Sequence, residues 1–291
     1  MNKQTLAKLA IAALAVAATL VAPSSKASTL LFVPDAPIHT TVFSGATTGQ
    51  NVGDAFSWTG TTTNVADTFV ANPVSTGYGG QGQVIETQSA DRRSVNSPSL
   101  GLSAGWNDSE YVFLSGWFLR TTTTNSGARL YIRSSDATVI SGFGITDGIS
   151  TPYAGGTVDR GHFMIAGSGV NFYSDEAAIA NHWYEMRLVI KQDETDASLA
   201  LGYLFVRDAT AGDTSFRLIE DIAGVNLNYE TVNLSLTDHW RVEALRAGGQ
   251  IGSLAIGTGT MIPEPSTVTL TLGAALFAGV RFLRKGRSAR R

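Results

Sequence analysis

Trp183–Lys191, WYEMRLVIK, decides the fold class. Tyr184, Met186, Leu188 and Ile190 fall on one side of an extended chain, and Glu185, Arg187 and Lys191 fall on the other. That period of two belongs to a strand with one buried face. A polar turn, Asp193–Asp196, follows. Leu199–Arg207 (LALGYLFVR) then returns as a second strand, Asp208–Asp213 turns again, and Ser215–Glu220 reads as a third. Three consecutive strands joined by short polar turns form an antiparallel meander.

The pattern continues on either side. Tyr111–Arg120 (YVFLSGWFLR) is apolar on both faces and reads as a central strand. Ala128–Arg133 alternates Leu130 and Ile132 with Arg129, Tyr131 and Arg133, and reads as an exposed alternating strand. Val84–Thr87 follows the glycine cluster Gly77–Gly82. That cluster matches G-x-G-x-x-G by letters, but a dinucleotide site needs a helix after it, and here a strand follows. A turn feeding an edge strand is the expectation. Ser174–Ala180 is the one candidate helix, with Ser174 as cap and Asp175 and Glu176 in its first turn. The class expected is all-β.

The two ends read differently. Lys3 and Lys8 precede an uninterrupted apolar run, Leu9–Ala22, and then Pro23, Ser24, Ser25, Lys26 and Ala27. Ser25 and Ala27 supply the small-x-small pattern of a cleavage site, placing the cut between Ala27 and Ser28. Residues 1–27 are therefore expected to be a secretory signal peptide. At the other end stand Pro263, Glu264, Pro265 and Ser266, then an apolar stretch from Thr267 to Val280. Arg281, Arg284, Lys285, Arg287, Arg290 and Arg291 follow. Seventeen residues, Thr267–Leu283, lie at the low edge of a membrane-spanning length. The basic tail is expected to stay cytoplasmic by the positive-inside rule. With the middle exported by the leader, both ends imply one topology. The division expected is 1–27, 28–262 and 263–291.

This C-terminal pattern resembles the PEP-CTERM sorting signals of Gram-negative bacteria, which consist of a P-E-P motif, one hydrophobic span and a basic tail. The resemblance covers about 30 residues. It implies processing by an exosortase after signal peptidase has acted, and passage from the cytoplasmic membrane to the cell surface or extracellular matrix. It implies nothing about the middle.

Residues 28–262 carry 12 basic and 23 acidic residues, a net of −11. Phosphate backbones need clustered Lys and Arg, so nucleic acid is not an expected partner. Cysteine is absent, which excludes thiol chemistry and thiolate zinc and leaves stability to packing. At 235 residues the middle is long enough to bury a core as one unit.

The strand WYEMRLVIK, its turn, the strand SLALGYLFVR and a closing strand Gln250–Thr258 (QIGSLAIGT) together resemble the concanavalin A-like lectin/glucanase jelly roll, which includes laminin-G-like domains. Ser253 stands where an aspartate is common in that group. The resemblance implies an antiparallel jelly-roll β-sandwich and extracellular polysaccharide as a ligand class. It does not fix function.

No catalytic set is visible. Glycoside hydrolysis needs two carboxylates facing across a cleft, and Glu194-Thr195-Asp196 lies in a polar turn. A lyase needs an aromatic or histidine base with basic partners. Tyr131 with Arg129 and Arg133 can be drawn that way, but an exposed alternating strand explains them better. His39, His162, His182 and His239 show no zinc-site spacing. There is no G-x-S-x-G elbow. No cofactor is expected. Asn107–Glu110 and Asp208–Asp213 are compatible with calcium, and solvated turns are the plainer reading. Of five tryptophans, Trp117 reads as core. Trp58 and Trp106, in turn-rich contexts, are the candidate glycan contacts, because exposed aromatic faces stack on sugar C–H groups. The expectation is a non-enzymatic, lectin-like surface or matrix protein. The rivals are an exported glycan-active enzyme on the same fold and a purely structural matrix component.

Overall fold

A computed structural model describes residues 30–60, 64–73, 76–87, 92–102, 111–121, 126–134, 139–146, 152–153, 156–157, 161–196, 199–228, 237–245 and 248–263. The cleavage site, the sorting motif beyond Pro263, the apolar span, the basic tail, Trp106 and the loop Asn107–Glu110 lie outside the described residues. The chain divides into two units, residues 32–261 and the two ends 1–31 and 262–291. The first is described below.

In chain order the elements are β1 (Leu30–Thr41), α1 (Val52–Phe56), β2 (Thr59–Gly60), β3 (Thr68–Ala71), β4 (Val84–Thr87), β5 (Arg92–Asn96), β6 (Tyr111–Leu119), β7 (Gly127–Ser134), β8 (Val139–Ile145), β9 (Pro152–Tyr153), β10 (Gly156–Thr157), β11 (His162–Ala166), β12 (Asn171–Ala177), β13 (Trp183–Gln192), β14 (Ala200–Asp208), β15 (Arg217–Leu218), β16 (Val225–Asn226), β17 (Thr237–Leu245) and β18 (Gln250–Pro263). A nine-stranded sheet runs β15-β14-β13-β6-β18-β4-β3, with β16 beside β14 and β1 beside β18. A seven-stranded sheet runs β12-β11-β8-β7-β17-β5-β2. Apart from the β1–β18 pair, the registers between these strands are antiparallel.

The two sheets pack face to face as a sandwich. The predicted inward row of β13 is buried: Met186 and Leu188 are 0% exposed, and Tyr184 and Ile190 2%. Leu188 lies opposite Leu114 on β6 and Leu204 on β14. Across the interior, Phe118 of β6 meets Phe143 of β8 edge-on at 5.3 Å, and Tyr184 meets Phe163 of β11 at 5.3 Å. Each such side chain stabilises the sandwich by roughly 1.5–3 kcal/mol through the apolar area it removes from water. β6 is central, as its two apolar faces require.

Four local expectations are corrected. Ser174–Ala180 is no helix, because β12 extends through Ala177. The Ser174 hydroxyl donates to the Glu176 carbonyl instead of capping a turn, and Tyr173 pairs with Met164 on β11. The third meander strand shrinks to Arg217–Leu218, and a 3₁₀ turn, Glu220–Ile222, takes over. β4 is interior, lying between β18 and β3. β7 is not exposed, since Arg129 is 4% and Tyr131 8% exposed. No described helix is long and apolar enough to cross a membrane.

Candidate functional site

The outer faces of the two sheets differ. The nine-stranded sheet is capped by its own chain. Phe32 of β1 packs on Phe113 and Phe205, at 5.7 and 6.2 Å. Tyr78, in the glycine-rich loop, packs on Trp117 and Trp183, at 5.4 and 4.6 Å. Ser253 pins that loop. Its hydroxyl accepts from the Gln81 N–H and donates to the Gln81 carbonyl, both at 2.7 Å, and lies 3.1 Å from the Tyr78 hydroxyl. Ser253 has φ +40° where the β18–β6 register shifts, so a bulge aims it at the loop.

The seven-stranded sheet shows a polar outer face. Because side chains alternate, registry assigns its rows. One row runs Ser94 (β5), Glu243 (β17), Arg129 (β7), Gly144 (β8), Met164 (β11), Tyr173 (β12). The next runs Thr59 (β2), Asn96, Arg241, Tyr131, Gly142, Ala166, Asn171. A third pairs His239 with Arg133. Strand spacing and rise make the span from Arg129 to Arg133 about 13 Å and that from β5 to β11 about 19 Å.

The face is divided by chemistry. On β5, β17 and β7 it is charged and hydrogen-bonding. Arg241 pairs with Glu243 at 2.8 Å. Arg241 Nε and Asn96 Oδ1 are buried atoms with no hydrogen-bond partner among the described residues. On β8 and β11 the face is apolar. A Cβ on Gly142 would lie 2.4 Å from Tyr131 Cδ1, so the tyrosine ring lies over β8 only because residue 142 has no side chain. Tyr131 packs there with Met164, Ala166 and Tyr173. Arg129, Tyr131, Glu243 and Ser94 form a buried floor, while Arg133, Arg241, Asn96 and Tyr173 are half-buried. Beyond the Arg129 row, His162 Nδ1 lies 2.6 Å from the Ser174 carbonyl. A carbonyl only accepts, so Nδ1 is the donor in that contact.

A second polar cluster joins the β12–β13 and β14–β15 turns. His182 Nδ1 is 2.6 Å from Asp208 Oδ2. Asp208 Oδ1 accepts the Ala211 N–H at 2.9 Å, and Asp213 accepts the Asp208 N–H at 3.0 Å. The carboxylates of this loop, which the sequence offered to calcium, are thus engaged by their own turn. Burial pushes the Tyr184 hydroxyl up to about 12, with the Asp208 carboxylate adding to the effect. Among the described residues no group of three or more His, Asp or Glu is placed to hold a metal ion.

Of the predicted contacts, Trp58 is 4% exposed, with its ring 5.6 Å from that of Phe43 in the core. It is a packing residue and not a platform. Its turn-rich flanks misled because α1 and β2 fold that turn inward. The sequence reading passed over Arg241, Asn96 and Tyr173, and weighed His239 only as a zinc ligand. The alternation of HWRVEAL, with Trp240 and Val242 at 0% exposure between them, was the available signal.

No protein-family model matches the chain, and no curated protein sequence matches it. Solved structures do. A marine alginate lyase from Aplysia kurodai aligns at 9% identity over 77% of this chain and 100% of its own, with a TM-score of 0.47. A galectin from Caenorhabditis elegans aligns at 12% identity over 56% and 89%, with a TM-score of 0.31. A carbohydrate-binding module from Bacillus subtilis aligns at 13% identity over 70% and 94%, with a TM-score of 0.32.

Proposed function

We propose that this chain is an exported, non-enzymatic surface or matrix protein, sorted by its PEP-CTERM-like tail, whose jelly-roll sandwich binds polysaccharide across the outer face of the seven-stranded sheet. One observation carries the binding reading. Half-buried Arg133, Arg241 and Asn96 on β7, β17 and β5 share the face with half-buried Tyr173 on β12, which packs on a buried floor of Tyr131, Met164 and Ala166. A sugar ring has an apolar C–H face and a hydroxyl rim, and such a divided surface suits both. The opposite sheet is covered in part by Phe32 and Tyr78, and its Arg187 and Arg207 pair with Glu185 and lie over Phe216 and Trp117. The export and sorting parts rest on the terminal sequences alone.

The test is retention of the full chain, in mild detergent, on a panel of bacterial and plant polysaccharides, with Tyr173→Ala and Arg133→Gln as site variants. Retention of the native chain, weakened in both variants, is the expected result. Equal retention of all three would remove the face from consideration.

A second reading has its own support. In β-elimination a base removes the proton beside a uronate carboxylate, the glycosidic C–O bond breaks, a C=C bond forms, and the departing oxygen takes a proton. That chemistry needs a tyrosine or histidine beside groups that neutralise the carboxylate. Tyr131 lies opposite Arg241, and His239 lies opposite Arg133. Release of unsaturated oligosaccharides from any polymer on the panel would promote this reading over the first.

A further inference from the structure

On the outer face of the nine-stranded sheet a strip lies between the two caps. Along β13, Trp183 packs against Tyr78, and Val189 stands opposite Phe113, on which Phe32 packs. Glu185 and Arg187 fall between them, within a run of about 20 Å along the strand. Registry sets Glu185 beside Trp117 of β6 and Arg207 of β14, and Arg187 beside Ser115 and Phe205. Two guanidiniums share one carboxylate here. Glu185 Oε1 accepts from Arg187 Nη2 at 3.1 Å, and Oε2 accepts from Arg207 Nε at 2.7 Å. Among the described residues Glu185 is the one carboxylate that pairs with either arginine. The neighbouring acids are engaged elsewhere. Lys191 holds Glu194, the Asp208 N–H donates to Asp213, and Asp208, opposite Tyr184 on the inner face, pairs with His182.

The arginines are also drawn partly out of water, with side chains 20% (Arg187) and 28% (Arg207) exposed. Arg187 Cζ lies 3.9 Å from the Phe216 ring centre, and Arg207 Cζ 5.5 Å from that of Trp117. Stacking hides a guanidinium's flat face and leaves its N–H edge for a partner. Burial pushes the Arg187 guanidinium below its usual value, Glu185 offsets part of that, and Arg207 adds to it. One shared carboxylate thus leaves the pair under-neutralised, and a second anion relieves the cost of burying both charges. We propose that this strip is a second binding site, which takes an oxyanionic group, carboxylate or sulfate, between Arg187 and Arg207 with the Ser115 hydroxyl beside it. The planar fork of arginine matches the paired oxygens of either group. The site lies on the sheet opposite the glycan face and does not depend on it.

The experiment titrates the full chain, in mild detergent, with sodium acetate and separately with sodium sulfate. Sodium chloride holds the ionic strength constant, so that screening does not change. The arginine Nε–H signals in nitrogen–proton spectra give the readout. Those of Arg187 and Arg207 should shift and saturate, while that of Arg217, already paired with Glu176 at the edge of the sheet, should not. Saturation by acetate or by sulfate identifies the anion, and saturation by both marks a site for either. Arg187→Gln should weaken the affinity read at Arg207 about tenfold or more, the loss of a charge-assisted hydrogen bond. Glu185→Gln should tighten it by removing the competing carboxylate. Should both variants fail to fold, Arg187→Lys keeps the charge, loses the planar fork and should still weaken binding. No saturable shift with either salt would overturn the site. So would an equal response at Arg217, or an affinity that the Arg187 variants leave unchanged.

Discussion

Tyr184 offers a measurement that separates one buried group from the rest of the molecule. Its ring is 2% exposed, and its hydroxyl accepts the Ile179 N–H at 2.9 Å beside the Asp208 carboxylate. Burial, first, and the nearby carboxylate hold its pKa at about 12, against 10.0 for an unperturbed tyrosine. A group whose pKa is raised on folding contributes stability that is complete below the unfolded value and is lost as pH rises through the folded one. The window is therefore pH 10 to 12. Two units correspond to about 2.7 kcal/mol at the alkaline limit, and about half of that is lost by pH 11. Tyr184→Phe removes the ionisation. At neutral pH it costs about 1–3 kcal/mol, because the Ile179 N–H loses its acceptor. Urea unfolding of both proteins at pH 8 and pH 11 gives the comparison. The native chain should lose about 1.4 kcal/mol more than the variant between those pH values. Tyr78 and Tyr203, also raised by burial, titrate equally in both and cancel. An identical pH dependence in the two proteins would refute the assignment.

Three further perturbations test other parts of the argument. Trp58→Ala should cost about 3–5 kcal/mol in denaturant unfolding without changing the polysaccharide affinity of the folded fraction, and a selective loss of affinity would restore Trp58 as a contact. Gly142→Ala drives a Cβ to 2.4 Å from Tyr131 Cδ1 and 2.7 Å from the Leu130 carbonyl. It should destabilise by about 1–3 kcal/mol and weaken glycan retention by displacing the ring, whereas unchanged retention would exclude the apolar half of the face. Ser253→Ala removes the two 2.7 Å bonds to Gln81 and should speed amide exchange in Gly77–Gly82, at a cost of about 1–3 kcal/mol, leaving the opposite face unaffected.

The strands were legible where one side of the chain is apolar and the other polar, as in β13, whose inward row is the one the sequence named. β6 was legible as central because both its faces are apolar. β12 was not. Ser174, Asp175 and Glu176 carry helix-start chemistry, but pairing with β11 overrides that local preference. Trp58 shows the limit of composition, since turn residues around it say nothing about which way the turn folds. The candidate face was half visible. Arg129, Tyr131 and Arg133 were singled out and then assigned to solvent, because exposure and outward direction look alike in one strand. Only registry brings Arg241, Asn96 and His239, from strands far apart in sequence, beside them.

The position of β18 has a consequence for how the molecule comes into being. It lies between β6 and β4, and its partners on β6 precede it by about 130 to 150 residues. Until Gln250–Gly259 arrive, β6 and β4 each present an open edge and half of their ladder is missing. Closure must await long-range pairing, which is slow compared with local folding. With no cysteine in the chain, no covalent cross-link can trap a partial form in the meantime. A polypeptide threading through a narrow translocation channel with its amino end leading would stay pliable until this strand emerged. Maturation of the sandwich would then be a late, single event on the far side.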